Sequence, residues 1–139
     1  MTKRPVILCV DDDWNGLEGH RILFEERGYK VLVATGGDEA LQLFASNPTD
    51  LVLLDYHMPG VNGDVIAERM KASQPDIPIV ILSADEGLPE SALESVDVFI
   101  SKSESPANLL KIVEQLLDLR FLFASFDSPA AGGQQRRVA

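Results

Sequence analysis

Acidic, hydroxyl and amine side chains come after the short apolar runs of this sequence. An acidic triplet at 11–13 follows the first run, Asp55 follows the third, Ser83 follows the fourth and Lys102 lies just beyond the fifth. Carboxylates brought close together repel one another unless a cation lies between them. Oxygen ligands without cysteine or paired histidine favour a hard ion, Mg²⁺ or Mn²⁺, which commonly binds phosphate oxygens as well. The residue types therefore predict a divalent metal site that receives a phosphoryl group.

Asp55 could itself take the phosphoryl group, because an ionised carboxylate is already a nucleophile and needs no general base. The transferred phosphoryl group carries negative charge on its three equatorial oxygens, and this charge must be balanced. A metal ion could bind one oxygen, the Ser83 hydroxyl could donate to the second, and the Lys102 amine could pair with the third. This division of tasks predicts an aspartyl phosphate at position 55.

Apolar runs and the helical patterns between them must bring these residues together. The runs are short, continuous and mostly β-branched, which is typical of strands buried on both faces of a parallel sheet. They cover residues 6–10, 31–34, 51–54, 79–82 and 98–100. Helical patterns cover 14–27, 37–46, 64–73, a weak short segment at 89–95, and a last helix with Ser105 as N-cap and Pro106 as first residue. This alternation predicts an α/β fold whose strand ends meet at one edge.

The composition is that of one globular domain with an acidic body. The chain has 139 residues and a formal net charge of −10. Between residues 5 and 119 there are 21 acids and 7 basic residues, so this body should repel a nucleic acid backbone. No apolar run is long enough to cross a membrane, no secretory signal is evident, and the single Cys9 lies in an apolar run. We expect a cytoplasmic protein without direct contacts to nucleic acid or membrane.

Four blocks of the sequence resemble the receiver domain of two-component response regulators, in particular the single-domain chemotaxis type. The blocks are Val10–Asp13, Leu53–Gly63, Ile81–Ala84 and Phe99–Lys102. Their order and spacing are those of the family. The resemblance implies a flavodoxin-like, doubly wound five-stranded parallel sheet of order 2-1-3-4-5 with five helices. We assign residues 5–122 to the receiver domain and residues 123–139 to a flexible tail or linker stub.

By position in these blocks, Asp55 resembles the phosphoacceptor of the family. Asp12 resembles the acid that binds the metal directly, and Asp11 resembles the acid that reaches it mainly through water. The backbone carbonyl of His57 resembles the third protein ligand, beside Asp12 and Asp55. The implied cofactor is Mg²⁺, with Mn²⁺ as the alternative. The implied donor of the phosphoryl group is a sensor histidine kinase or a histidine phosphotransfer protein.

A conformational switch is also implied. Ser83 and Lys102 resemble the hydroxyl and the amine that contact the phosphoryl oxygens, and Phe99 matches the aromatic switch position. On phosphorylation, Ser83 and the loop after it would move toward the phosphate, Phe99 would turn inward, and a face that binds a downstream protein would change shape. The chain departs from the family at Ser103, where proline usually follows the lysine through a cis bond. We predict a trans Lys102–Ser103 bond, or a strained cis bond retained by the site.

Two other functions stay open as alternatives. The first is a phosphohydrolase with an aspartyl nucleophile, although the haloacid-dehalogenase type needs a second acid where this chain has His57. The second is a pseudo-receiver that binds partners without being phosphorylated. A flavin-binding flavodoxin is disfavoured, because the acidic triplet would repel the flavin phosphate. We expect no enzyme activity beyond self-phosphorylation and dephosphorylation, and we hypothesise that His57 and Asp85 tune the phosphoryl lifetime.

The end of the last helix is unusually apolar. Leucine and phenylalanine residues recur from Leu119 to Phe126, more than a terminal helix needs to cover its own core. We favour a partner surface, with a homodimer through the last helix as one form of it. The sequence does not separate a stand-alone receiver from a receiver that belongs to a longer hybrid kinase or regulator.

Overall fold

A parallel sheet with helices on both faces forms the body of the protein. The computed structural model describes residues 4–84 and 88–126. The strands are β1 (Val6–Val10), β2 (Lys30–Ala34), β3 (Leu51–Asp55), β4 (Ile79–Ser83) and β5 (Val98–Ser101). Their order in the sheet is β2-β1-β3-β4-β5, and each neighbouring pair is parallel. The predicted flavodoxin-like α/β fold is therefore confirmed.

Within the described ranges there are four α-helices and one short 3-10 helix. The α-helices are α1 (Trp14–Glu25), α2 (Gly37–Ser46), α3 (Gly63–Ser73) and α4 (Pro106–Phe126). The weak fifth helix expected at 89–95 is a single 3-10 turn, Glu90–Leu93, in which only Ala92 is buried. The expected weak, short helix is therefore present as a 3-10 turn that covers four of the seven residues, and Ala92 packs in one cluster with Leu88 and Val96.

Alternating strand residues supply two separate cores. On one face, Ile7 and Cys9 of β1 and Leu51 and Leu53 of β3 pack against α1 and α4. On the other face, the residues between them pack against α2 and α3. Burial, and secondly the charge of Asp11, raise the pKa of the Cys9 thiol far above its usual range. Because both faces are covered, the strands are apolar along their length, as the sequence indicated.

Both ends of α4 bear on the predicted domain limits. The Ser105 hydroxyl accepts the backbone N–H of Asn108 at 3.1 Å, which confirms the predicted N-cap before Pro106. The helix continues to Phe126, four residues past the predicted domain limit at 122, and residues 127–139 of the predicted tail lie outside the described residues. None of the described helices has the length and apolar composition needed to cross a membrane.

The part of α4 from residue 118 to residue 123 lies outside the buried core. Leu117 is the last core residue among those of α4 whose side chains the structure describes. Beyond it, four large apolar side chains are exposed: Leu119, Phe121, Leu122 and Phe123. They belong to the segment in which the sequence predicts a partner surface, and both that surface and the homodimer expected through it stay predictions.

Candidate functional site

Strand register places Asp11 beside Asp55. Cys9 of β1 pairs with Leu53 of β3, and Asp11 and Asp55 each come two residues later in the chain. Because side chains alternate between the faces of a strand, both acids point to the face that α1 and α4 cover. Both are buried, with 4% of Asp11 and 3% of Asp55 exposed. One carboxylate oxygen from each of Asp11, Asp12 and Asp55 lies within 4.8 Å of the others.

Hydrogen bonds to the backbone orient the acidic triplet at the start of α1. Asp13 caps the helix, and its carboxylate accepts the backbone N–H of Asn15. The Asp11 carboxylate in turn accepts the backbone N–H of Asp13 at 2.9 Å. Asp12, between them, is exposed at the mouth of the site. Trp14 begins α1 and is 53% exposed next to the triplet.

Lys102 reaches the acids from the end of β5. Its Nζ lies 2.9 Å from Oδ1 of Asp55 and 3.7 Å from Oδ2 of Asp11. Its backbone N–H donates to the carbonyl of Ser83 at 2.9 Å, which extends the β4–β5 pairing by one residue. The described peptide bonds are all trans, so the Lys102–Ser103 bond takes the first of the two predicted forms. The amine reaches Asp55 without a cis bond.

The charges in the site are out of balance. Burial, with a contribution from the charge of Asp11, raises the pKa of Asp55 to about 6, although the Lys102 amine opposes the shift. For Lys102, partial burial acts to lower the pKa, but the hydrogen bond to Asp55 and the charges of both acids raise it overall. Three carboxylates facing one ammonium group leave a local excess of two negative charges. A divalent cation would neutralise that excess.

The remaining predicted site residues surround this cluster at different depths. Ser83 is fully buried at the end of β4, one residue beyond the Leu82 that pairs with Asp55. Phe99 on β5 is partly buried and packs on a small cluster with Tyr56 and Ala92. His57 is exposed. Asp85, proposed with His57 to affect the phosphoryl lifetime, lies outside the described residues.

Tyr56 and Gly63 were not singled out from the sequence. Tyr56 follows Asp55, is only 7% exposed and meets the His57 ring edge-on, with ring centroids 4.8 Å apart. Its carbonyl accepts the N–H of Gly63 at 2.7 Å, and a Cβ at position 63 would lie 2.5 Å from the carbonyl oxygen of Asp55. The glycine in the second block was the available signal, because a glycine that opens a helix beside a site often permits close backbone contact.

Comparisons with known proteins agree with this geometry. Residues 7–114 match the family model of the response regulator receiver domain. The response regulator SaeR of Staphylococcus aureus is 35% identical over 114 residues, which are 80% of this chain and 50% of SaeR. The chain thus spans about half the length of the curated relatives it matches.

Solved structures show the same fold. A CheY-like receiver domain protein from Methanospirillum hungatei JF-1 superposes with a TM-score of 0.82 at 26% identity, covering 85% of this chain and 97% of that one. The response regulator TrrA from Thermotoga maritima, solved in complex with Mg²⁺-BeF, has a TM-score of 0.76 at 33% identity, covering 81% and 98%. The chain belongs to the response regulator receiver domain family. Receiver domains of this class act in two-component signal transduction and carry an acidic phosphorylation site.

Proposed function

We propose that Asp55 accepts a phosphoryl group from a sensor histidine kinase or a histidine phosphotransfer protein. The observation that carries the proposal is the placement of Asp55 within one cluster of three acids and in contact with the Lys102 amine. A bond forms between a carboxylate oxygen of Asp55 and phosphorus while the bond from phosphorus to the donor nitrogen breaks. The electron pair of that bond stays on the donor imidazole, and no proton has to leave Asp55, because the ionised carboxylate attacks.

The donor set fits a hard divalent cation. Asp11, Asp12 and Asp55 offer only oxygen atoms, and the local excess of two negative charges matches one such ion. We assign Mg²⁺, with Mn²⁺ as the alternative, to these acids together with the backbone carbonyl of His57. Support comes from the Mg²⁺-BeF complex of TrrA, a relative of the same fold. When bound, the ion supplies charge neutralisation for the phosphoryl oxygens.

The side chains of this protein perform the other tasks. Lys102 is already at Asp55 and pairs with one phosphoryl oxygen, while the Ser83 hydroxyl donates to another. Neutralised in this way, the oxygens no longer repel the incoming carboxylate. The movement of Ser83 toward the phosphate draws the start of the following loop with it, and Phe99, which packs on Tyr56 and Ala92, turns further inward. The changed face acts on a downstream protein.

The wider role follows from the same proposal. The domain at 5–122 works in the cytoplasm as a signalling module and not as an enzyme with a separate substrate. Its acidic body repels nucleic acid, so any binding of nucleic acid in the pathway is done by other proteins or domains. Residues 123–139 serve as a tail or a linker after the receiver.

Mass spectrometry tests the central step. Wild type and Asp55→Asn are incubated with Mg²⁺ and a small phosphodonor, and each intact chain is weighed. A hydroxylamine-labile phosphate adduct on wild type alone supports an aspartyl phosphate at position 55. An adduct on both proteins would place the modification elsewhere. An unmodified wild type that still binds Mg²⁺ would indicate a pseudo-receiver.

A further inference from the structure

We propose that Ser101 and Ser103 are positioning residues that hold Lys102 against Asp55. The inference rests on the proposed function, because it concerns the amine that neutralises the phosphoryl group. Ser101 ends β5, and Lys102 and Ser103 form the turn that leads toward α4. The two serines flank the lysine directly in the chain.

Hydrogen bonds between these serines close the turn around Lys102. The hydroxyl oxygen of Ser101 accepts the backbone N–H of Ser103 at 3.2 Å. The two hydroxyl groups lie 2.8 Å apart and share a second hydrogen bond. The backbone N–H of Glu104 also donates to the carbonyl of Ser101 at 3.1 Å. A serine at the first position of a turn commonly closes it through its hydroxyl.

The turn fixes a side chain that is otherwise hard to order. A lysine carries its charge at the end of a flexible four-carbon stem, so the position of the ammonium group depends on where the backbone places the Cα atom. The N–H of Lys102 is held by the Ser83 carbonyl, and the turn then sets the direction of the chain beyond it. With both sides held, the Nζ atom lies 2.9 Å from Oδ1 of Asp55.

Position 103 contributes a backbone N–H, which any residue except proline has, as well as the serine hydroxyl. Proline has no N–H, so a proline at 103 would leave the Ser101 hydroxyl without that donor. In this chain a hydrogen-bonded turn with a trans bond at Lys102–Ser103 takes the place that a fixed proline ring could fill. The pair of serines thus compensates for the departure seen in the sequence.

Paired substitutions at position 101 isolate the hydroxyl. Ser101→Thr keeps the hydroxyl, whereas Ser101→Val has nearly the same shape and lacks it. With a small phosphodonor and Mg²⁺, we expect Ser101→Val to lower the phosphorylation rate about fivefold. This is the rate change that corresponds to the loss of one ordinary hydrogen bond. Ser101→Thr should stay near the wild-type rate. Ser105→Ala, which removes the N-cap of α4, controls for a general loosening and should leave the rate unchanged.

A second cycle asks whether the serine acts through the lysine. In a Lys102→Met background, Ser101→Val should lower the phosphorylation rate no further than Ser101→Thr does. Equal phosphorylation rates for Ser101→Val and Ser101→Thr with Lys102 in place would overturn the inference. It would also be overturned if the two variants differed as much in the Lys102→Met background as they do with Lys102. A Ser105→Ala rate as low as that of Ser101→Val would do the same.

Urea unfolding separates this inference from the proposed function. The Lys102→Met substitution is made in both position-101 variants, and its effect on the free energy of unfolding is compared. The effect should be smaller in Ser101→Val than in Ser101→Thr, because the valine variant has already loosened the contact between Lys102 and Asp55. This measurement needs no phosphorylation. If wild type takes up no phosphate but Lys102→Met changes the unfolding free energy of the two variants by different amounts, the proposed function fails and the positioning of Lys102 by the serines stands. If the changes are equal, the positioning fails.

Discussion

Replacing Gly63 with alanine should disturb the site through a single backbone contact. A Cβ at this position would lie 2.5 Å from the carbonyl oxygen of Asp55 and 3.1 Å from Cα of Tyr56. Real Cβ atoms essentially never lie closer than 3.0 Å to such neighbours, so the end of β3 or the start of α3 must move by about 0.5 Å or more. The neighbours are backbone atoms, which cannot swing away as a side chain can. We expect Gly63→Ala to lower the free energy of unfolding by about 2 kcal/mol.

Urea unfolding measures this cost directly. With a slope near 2 kcal/mol per molar, the transition midpoint should fall by about 1 M with the slope unchanged. The matched control is Gly19→Ala in α1, where an added Cβ meets nothing within 4 Å. That change should raise stability by about 0.5–1 kcal/mol, since alanine favours the helix interior. Because Asp55 would be displaced, Gly63→Ala should also slow phosphorylation about tenfold. If Gly63→Ala were as stable as Gly19→Ala, the close contact would not exist.

Three further predictions concern charge, metal and packing. Since folding raises the pKa of Asp55 from 3.8 to about 6, its contribution to stability is full below pH 4 and is lost as the pH rises through 6. Without metal, the free energy of unfolding of wild type should fall by up to about 3 kcal/mol relative to that of Asp55→Asn between pH 4 and 7. If the two free energies of unfolding depended on pH in the same way, the prediction would be contradicted. Mg²⁺ should change the fluorescence of Trp14, the single tryptophan, saturably in wild type and much more weakly in Asp12→Asn. Leu117→Ala, in the core, should cost about 2–5 kcal/mol in urea unfolding, whereas Leu119→Ala, at a position 49% exposed, should stay within about 0.5 kcal/mol; equal costs would refute the burial of α4 described above.

The sheet could be predicted because each strand carries its own signal. Apolar runs such as Leu51–Leu54 are continuous, and only strands covered on both faces need that pattern. The convergence of Asp11, Asp55 and Lys102 then followed from the rule that parallel strands end at one edge. The order of the strands needed more than the runs themselves, since every run is apolar. It came from the resemblance to receiver domains.

Features that depend on contacts between distant residues could not be predicted. The burial of Tyr56 against Ala92 and Phe99 depends on where a 3-10 turn packs, and that segment had only a weak helical pattern. The turn made by Ser101 and Ser103 is a local hydrogen-bond pattern that serine can form or omit. The Lys102–Ser103 bond had two predicted forms because the family usually has a cis bond before proline here, and a cis bond without proline is costly.

Because Cys9 is buried, the protein can be labelled specifically at a second cysteine introduced on its surface. Only an ionised thiol reacts readily with maleimides, and burial holds the pKa of this one far above neutral. A cysteine introduced at exposed Ser91, on the 3-10 turn, would therefore be the single reactive thiol of the folded chain. A fluorophore attached there would report movements of that turn without any need to replace the native cysteine.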